Sequence, residues 1–311
     1  MRELLSLAMT DQSSAILERV PALSARAGLG WGLVGVIAFS FTLPFTRVAI
    51  GGLSPLFIGS GRAVLAAALA VVALVVMRQR IPNRRQWMRL AVVAAGVVVG
   101  FPLLTSYALT TAPASHGAVV IALLPAATAV MAVLRGRERP PRSFWVLAGV
   151  GAIAAVLFAG LGNGFGGLHW SDLLLFGAVI AAAVGYAEGG LLARELGSWQ
   201  VVCWALVFAS PLMVVLTVIA AAQQPPVATP IEWAAFAYLG VVSMFLGFFA
   251  WYRGLAIGPM TRVSQVQLVQ PVLTIGWAAL LLGEAVTWAT VLGGLAVIAC
   301  AGLAIRIRVR G

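Results

Sequence analysis

The sequence predicts an all-α integral membrane protein: ten transmembrane helices, arranged as two inverted five-helix repeats around a central cavity. Three observations predict it. Hydrophobic residues make up 62% of the 311 and charged residues only 9%, with a mean hydropathy of +1.03, whereas a soluble domain is nearer half apolar and a quarter charged. Apolar stretches of about 20 residues, enough to cross a ~30 Å hydrocarbon core, recur along the chain. The third observation is a proline-bounded segment that occurs twice.

Residues 1–27 are polar and mixed in charge. LLSLAM is too short for a signal-peptide core and no cleavage pattern follows it, so a cytoplasmic tail is expected. Apolar segments then run at about 29–50, 55–77, 89–111, 115–134, 143–161, 171–193, 200–222, 231–252, 260–282 and 287–306. Strands of a membrane barrel would alternate over about ten residues; these segments are longer and apolar on all sides. Pro44 and Pro102 fall inside the first and third segments and are expected to kink them.

The basic residues are all arginines. If ten helices alternate, 18 of the 20 arginines fall on one side, and only Arg47 and Arg62 depart from the pattern. The positive-inside rule then places both termini in the cytoplasm, in the bacterial inner membrane. A net charge of +11 distributed in this way sets orientation and does not imply a nucleic-acid partner. Cys203 and Cys300 lie in different apolar segments without metal or disulfide spacing, so packing is their expected role.

Residues 113–125 read PASHGAVVIALLP and residues 259–271 read PMTRVSQVQLVQP. Pro113 maps to Pro259, Ser115 to Thr261, Pro125 to Pro271 and Glu138 to Glu284, all at an offset of 146 residues. FTRVAIGGLSP and LARELGSW make a weaker pair. Five helices per unit is an odd number, so the halves, 28–161 and 162–311, must be oppositely oriented. In inverted repeats of this kind the substrate site sits at the repeat interface near midplane.

The second copy carries three glutamines within an apolar region. On a helix, Ser264, Gln267, Gln270 and Thr274 lie within about 60° of one line, while Gln265 points away. Pro271 cannot donate to the carbonyl of Gln267 four residues back, which leaves that carbonyl open to water, a side chain or a ligand. Two roles fit the stripe: a polar wall of a central pathway, or hydrogen bonding between helices. The matching face of the fourth segment is Ala118, Ile121, Leu124 and Thr128. One polar and one apolar wall would suit a small amphipathic solute.

Glu188, in GYAEGG, is the acidic residue clearly inside an apolar segment, and such a residue marks a candidate site for a substrate amine or a proton. It is also near enough to the cytoplasmic end to reach the interface or pair with Arg194, and Gly185 and Gly189 form a GxxxG of the packing type. Arg62 lies seven residues into the second segment, roughly 10 Å from its outer end; it either snorkels to the interface or binds a substrate carboxylate. His116 suits capping, an interfacial position or a proton relay. Tyr107, Trp251 and Tyr252 read as interfacial belt aromatics.

The two copies, ALTTAPASHGAVVIALLPAATAVMAVLRGRE and GLAIGPMTRVSQVQLVQPVLTIGWAALLLGE, resemble the half-ending motif of the drug/metabolite transporter superfamily, EamA type. The resemblance covers about residues 30–306. It departs where the first helix reads AFSFTLPFTR instead of W-G-x-x-F and where the first copy has RGRE in place of LGE. The resemblance implies a basket-like bundle with a central cavity and export of small metabolites, with the aromatic amino acid exporters as one close possibility.

From these readings an inner-membrane carrier is expected, exporting amino acids or related small amphipathic metabolites by alternating access, by facilitated diffusion rather than proton coupling. The other cargoes considered are a vitamin, nucleoside or lipophilic cation, proton-coupled through Glu188. A membrane-embedded lipid transferase is disfavoured, because such enzymes gather carboxylates around Mg²⁺ and no segment pairs two carboxylates. The expected partners are a small-molecule substrate and membrane lipid, with a monomer compatible with everything above. No cofactor, metal or catalytic residue is expected.

Overall fold

Side-chain caps mark where several of the helices begin. Ser54 accepts a hydrogen bond from Phe57 N ahead of Pro55, and Asn83 with Gln86, and Thr229 with Glu232, form reciprocal capping boxes. Each supplies partners for backbone N–H groups that a helix start leaves unpaired. The computed structural model describes residues 27–136, 142–162, 169–257, 263 and 266–310; Ser264, Gln265, Thr261 and Glu138 lie outside the described residues.

In chain order the helices are α1 (Ala27–Ala49), α2 (Pro55–Val76), α3 (Arg84–Ala108), α4 (Ala114–Ile121), α5 (Leu124–Gly136), α6 (Arg142–Gly162), α7 (Trp170–Leu196), α8 (Ser198–Gln223), α9 (Pro230–Ile257), α10 (Gln270–Leu282) and α11 (Trp288–Arg310). The described residues contain no strand. By length and hydropathy six helices can cross a membrane: α1, α2, α3, α7, α8 and α9. Shorter apolar helices cover Ala114–Thr128, Gln267–Leu282 and Trp288–Cys300.

Val72, Val75, Val76, Ile180, Val218 and Leu280 are exposed, while Ser40, Thr46, Ser60, Thr105, Ser106 and Arg62 are buried. A soluble protein hides its large apolar side chains; here lipid takes the place of water on the outside. α2 packs along α8, α6 along α11, and α3 and α5 along α7.

Local bends recur at the offset of the sequence repeat. α3 contains a π-helical turn over Ala94–Gly100, and α9 contains one over Leu239–Leu246. The fourth segment breaks at Ala122 and Leu123, just before Pro125; a 3₁₀ turn over Gln267–Val269 precedes Pro271 in the same way. The expectation of a free Gln267 carbonyl is corrected here: the Gln270 N–H donates to it, because Pro271 stands at the start of α10 and the tighter turn supplies the bond.

Candidate functional site

At the middle of the bundle a narrow cavity is lined by Arg62 and Thr42, by Ser243 in the π turn of α9, by Gln270 at the start of α10, and by Phe39 and Tyr186. Its free volume is about 20 Å³, room for a single water. Val97 and Leu124 line it too; at an offset of 146 they are the first-half counterparts of Ser243 and Gln270. The wall from the first half is apolar where the wall from the second is polar.

Arg62 is 1% exposed and does not reach the interface. Its Nη2 donates to Thr105 Oγ1 at 3.4 Å, and its Nε has no hydrogen-bond partner among the described residues. An isolated cation in an apolar interior is costly unless an anion or several acceptors meet it. Beside it, Thr42 and Ser243 share a hydroxyl–hydroxyl bond of 2.7 Å. Gln270 is 8% exposed, and its Oε1 is without a partner. Phe39 and Phe248 lie with ring centroids 4.9 Å apart, and Tyr186 lies 5.8 Å from Trp251. Trp251 and Tyr252 are fully buried, which corrects the belt reading for both; Tyr107, 42% exposed, remains at the surface.

The other sequence candidates separate from this cavity. Gln267 is 2% exposed, and neither end of its amide has a partner among the described residues. Thr274 donates to Ser40 O at 2.8 Å. Pro44 has no N–H to offer that carbonyl four residues back, so Thr274 of α10 replaces the missing bond in α1, and Trp277 Nε1 donates to Ser40 Oγ beside it. Glu188, 3% exposed, forms an ion pair with Arg89 of α3, and Arg89 also holds Glu195. The partner shown for Glu188 is therefore Arg89, in place of the expected Arg194. Ser264 lies outside the described residues.

At the opposite end, Gly283 takes a left-handed conformation at φ +66°, which favours glycine, and turns Glu284 back across the bundle. Both Glu284 carboxylate oxygens accept from the first N–H groups of α4, those of Ala114 and Ser115, at 2.8 Å. Nearby, His116 Nε2 meets Asp172 Oδ1 at 2.7 Å. The Arg47 guanidinium donates to the carbonyls of Leu109 and Thr110 beyond α3, which accounts for an arginine far from the others.

Sequence reasoning missed Thr42, Ser243, Thr105 and the internal role of Arg89. Single hydroxyls in apolar helices are a weak signal; Arg89 stands five residues inside a helix that starts at Arg84, and that spacing could have separated it from the loop arginines.

The sequence profile of the EamA-like transporter family matches residues 26–160 and again 169–306. The uncharacterized transporter YdeK of Bacillus subtilis is 42% identical over 89% of this chain and 97% of its own length. A probable terminal-alkyne amino-acid exporter of Streptantibioticus cattleyicolor is 26% identical over 78% of this chain and 82% of its own length. A protein chain solved by crystallography superposes with a TM-score of 0.65 at 19% identity, covering 92% of this chain and 99% of that one; that likeness concerns the fold alone.

Proposed function

We propose that this chain, which belongs to the EamA-like transporter family, is an inner-membrane carrier that exports amino acids or related small amphipathic metabolites by alternating access. Arg62 carries the reading: a buried guanidinium with one long hydrogen bond, facing a cavity whose other lining residues are neutral. A substrate carboxylate supplies the missing charge. Gln270 Oε1 and the Thr42 and Ser243 hydroxyls offer acceptors for an amino group, and Phe39, Phe248 and Tyr186 accept an apolar side chain. Gln267 and Ser264 continue the polar face of the route, and Thr274 holds α1 in register with it. A lipophilic cation fits poorly against Arg62.

The double match of one family profile, the paired π turns and the paired breaks support ten spans in two inverted units, 28–161 and 162–311. The arginine distribution supports a cytoplasmic tail over 1–27 and both termini inside. With no carboxylate among the residues lining the cavity, transport by facilitated diffusion is the simpler mode. The description of one relative as a probable terminal-alkyne amino-acid exporter supports the substrate class.

The test is efflux from proteoliposomes loaded with labelled amino acids, with and without a pH gradient. Losing a buried charge-assisted contact is worth about 2–5 kcal/mol, so Arg62→Gln should cut flux about 100-fold, with partial recovery in Arg62→Lys. Equal flux in Arg62→Gln and the parent overturns the carboxylate site. Retention of every amino acid by folded protein moves the cargo to another class.

A further inference from the structure

We propose that Arg89, Glu188 and Glu195, together with Tyr252, form the gate that closes the central cavity toward the arginine-rich end; this rests on the carrier reading above. Glu188 and Glu195 are seven residues apart, on one face of α7, and the single guanidinium of Arg89 on α3 bridges both. Tyr186, two residues before Glu188, lines the cavity, so the ion triad begins about 3 Å further along the helix axis. The backbones of α3 and α7 approach directly here: a Cβ on Gly96 would stand 3.0 Å from the Gly185 Cα. On the other flank the Tyr252 hydroxyl of α9 donates to Gly185 O at 3.2 Å, and its ring occupies the space over Gly189. The GxxxG of α7 is thus the floor on which α3 and α9 meet, and the triad ties α3 of the first half to α7 of the second.

The exposures fit a closure that must open. Side-chain exposure is 18% for Arg89, 4% for Glu188 and 51% for Glu195. The half-wet Arg89–Glu195 pair separates at modest cost because water takes over its charges; the drier Arg89–Glu188 pair is the bond that holds the closed state, since desolvation resists its separation. The other end is tied by different chemistry, Glu284 on backbone N–H groups and Arg47 on carbonyls, so the contacts of one end can part while those of the other stay bonded.

The test uses full-length protein with Cys203→Ala and Cys300→Ala, and Ser243→Cys as a reporter on the cavity wall. A membrane-impermeant maleimide is applied from each side of oriented vesicles. Arg89→Gln should raise labelling from the arginine-rich side on the order of tenfold and leave the other side unchanged, with a smaller rise in Glu195→Gln. The exchange Arg89→Glu with Glu188→Arg should return labelling toward the parent level, which a merely unfolded variant could not do. Unchanged labelling in Arg89→Gln, or an equal rise from both sides, overturns the gate. Neither result touches the Arg62 reading, which is read by flux; Arg62→Gln should lose flux with the labelling pattern intact.

Discussion

In the first half of the chain the segment running to Pro125 and beyond presents Ile121, Leu124 and Thr128; at the same places the second half presents Gln267, Gln270 and Thr274. Both segments break just before the proline, and both halves carry a π turn at matched positions. Backbone shape has been kept in duplicate while side-chain chemistry has diverged. The first helix of each half differs further: α1 is interrupted at Phe41, ahead of Pro44, whereas α7 runs 27 residues without a proline. The hydroxyl of Thr274 answers that interruption; the hydroxyl of Thr128, also buried, has no partner among the described residues. At these matched positions the second half is polar where the first is apolar, while the first half brings Thr42 and Arg62 to the same cavity from elsewhere.

The comparison breaks most visibly if the two walls are made alike. Gln270→Leu copies Leu124 into the second half and should lower efflux by tenfold or more, since an unmet polar group on a bound substrate costs about 1–3 kcal/mol; flux at the parent level would remove Gln270 from the site. Gln267→Ile, the matching copy of Ile121, should separate function from stability. Removing a buried amide without partners should raise the thermal midpoint in detergent by a few degrees, an effect of about 1–3 kcal/mol, while flux falls. A drop in midpoint would mean that the amide is bonded.

The paired threonines sharpen the contrast at smaller cost. Thr274→Val leaves Ser40 O unmet and should destabilise by about 1–2 kcal/mol, whereas Thr128→Val exchanges an unpartnered hydroxyl for a methyl of the same shape and should be neutral or stabilising. Equal losses in thermal unfolding would show that the two sites are not asymmetric after all. Last is Glu284→Gln, which removes the charge of the α4 cap and puts an NH2 where one of the two acceptor oxygens stood; a loss of about 1–2 kcal/mol in thermal unfolding is expected, from one missing hydrogen bond and the charge at the helix N-terminus.

The repeated segment was visible because Pro259 and Pro271 keep the spacing of Pro113 and Pro125, and Gln267 and Gln270 were visible because amides stand out in an apolar run. Arg62 stood out as an arginine on the wrong side. What sequence did not reveal depends on contact. Arg89 and Glu188 lie 99 positions apart, and no local pattern pairs them. The π turns fall in runs such as AAGVVVG, where nothing distinguishes a widened turn from an ordinary one. The proline rule, applied at Pro271, led to a carbonyl that a tightened turn already satisfies. At Pro44 the same rule points to Ser40 and hence to Thr274, whose hydroxyl supplies the bond that the turn at Phe41 leaves open.

The Glu284 cap carries a consequence for how the protein is made. α4 begins at Ala114, yet the carboxylate that covers its first N–H groups is 170 residues further along the chain. Until Glu284 has been made, that end of α4 has no such cap. The α4 cap is therefore one of the last contacts the chain can make, and it makes the start of one half depend on the end of the other.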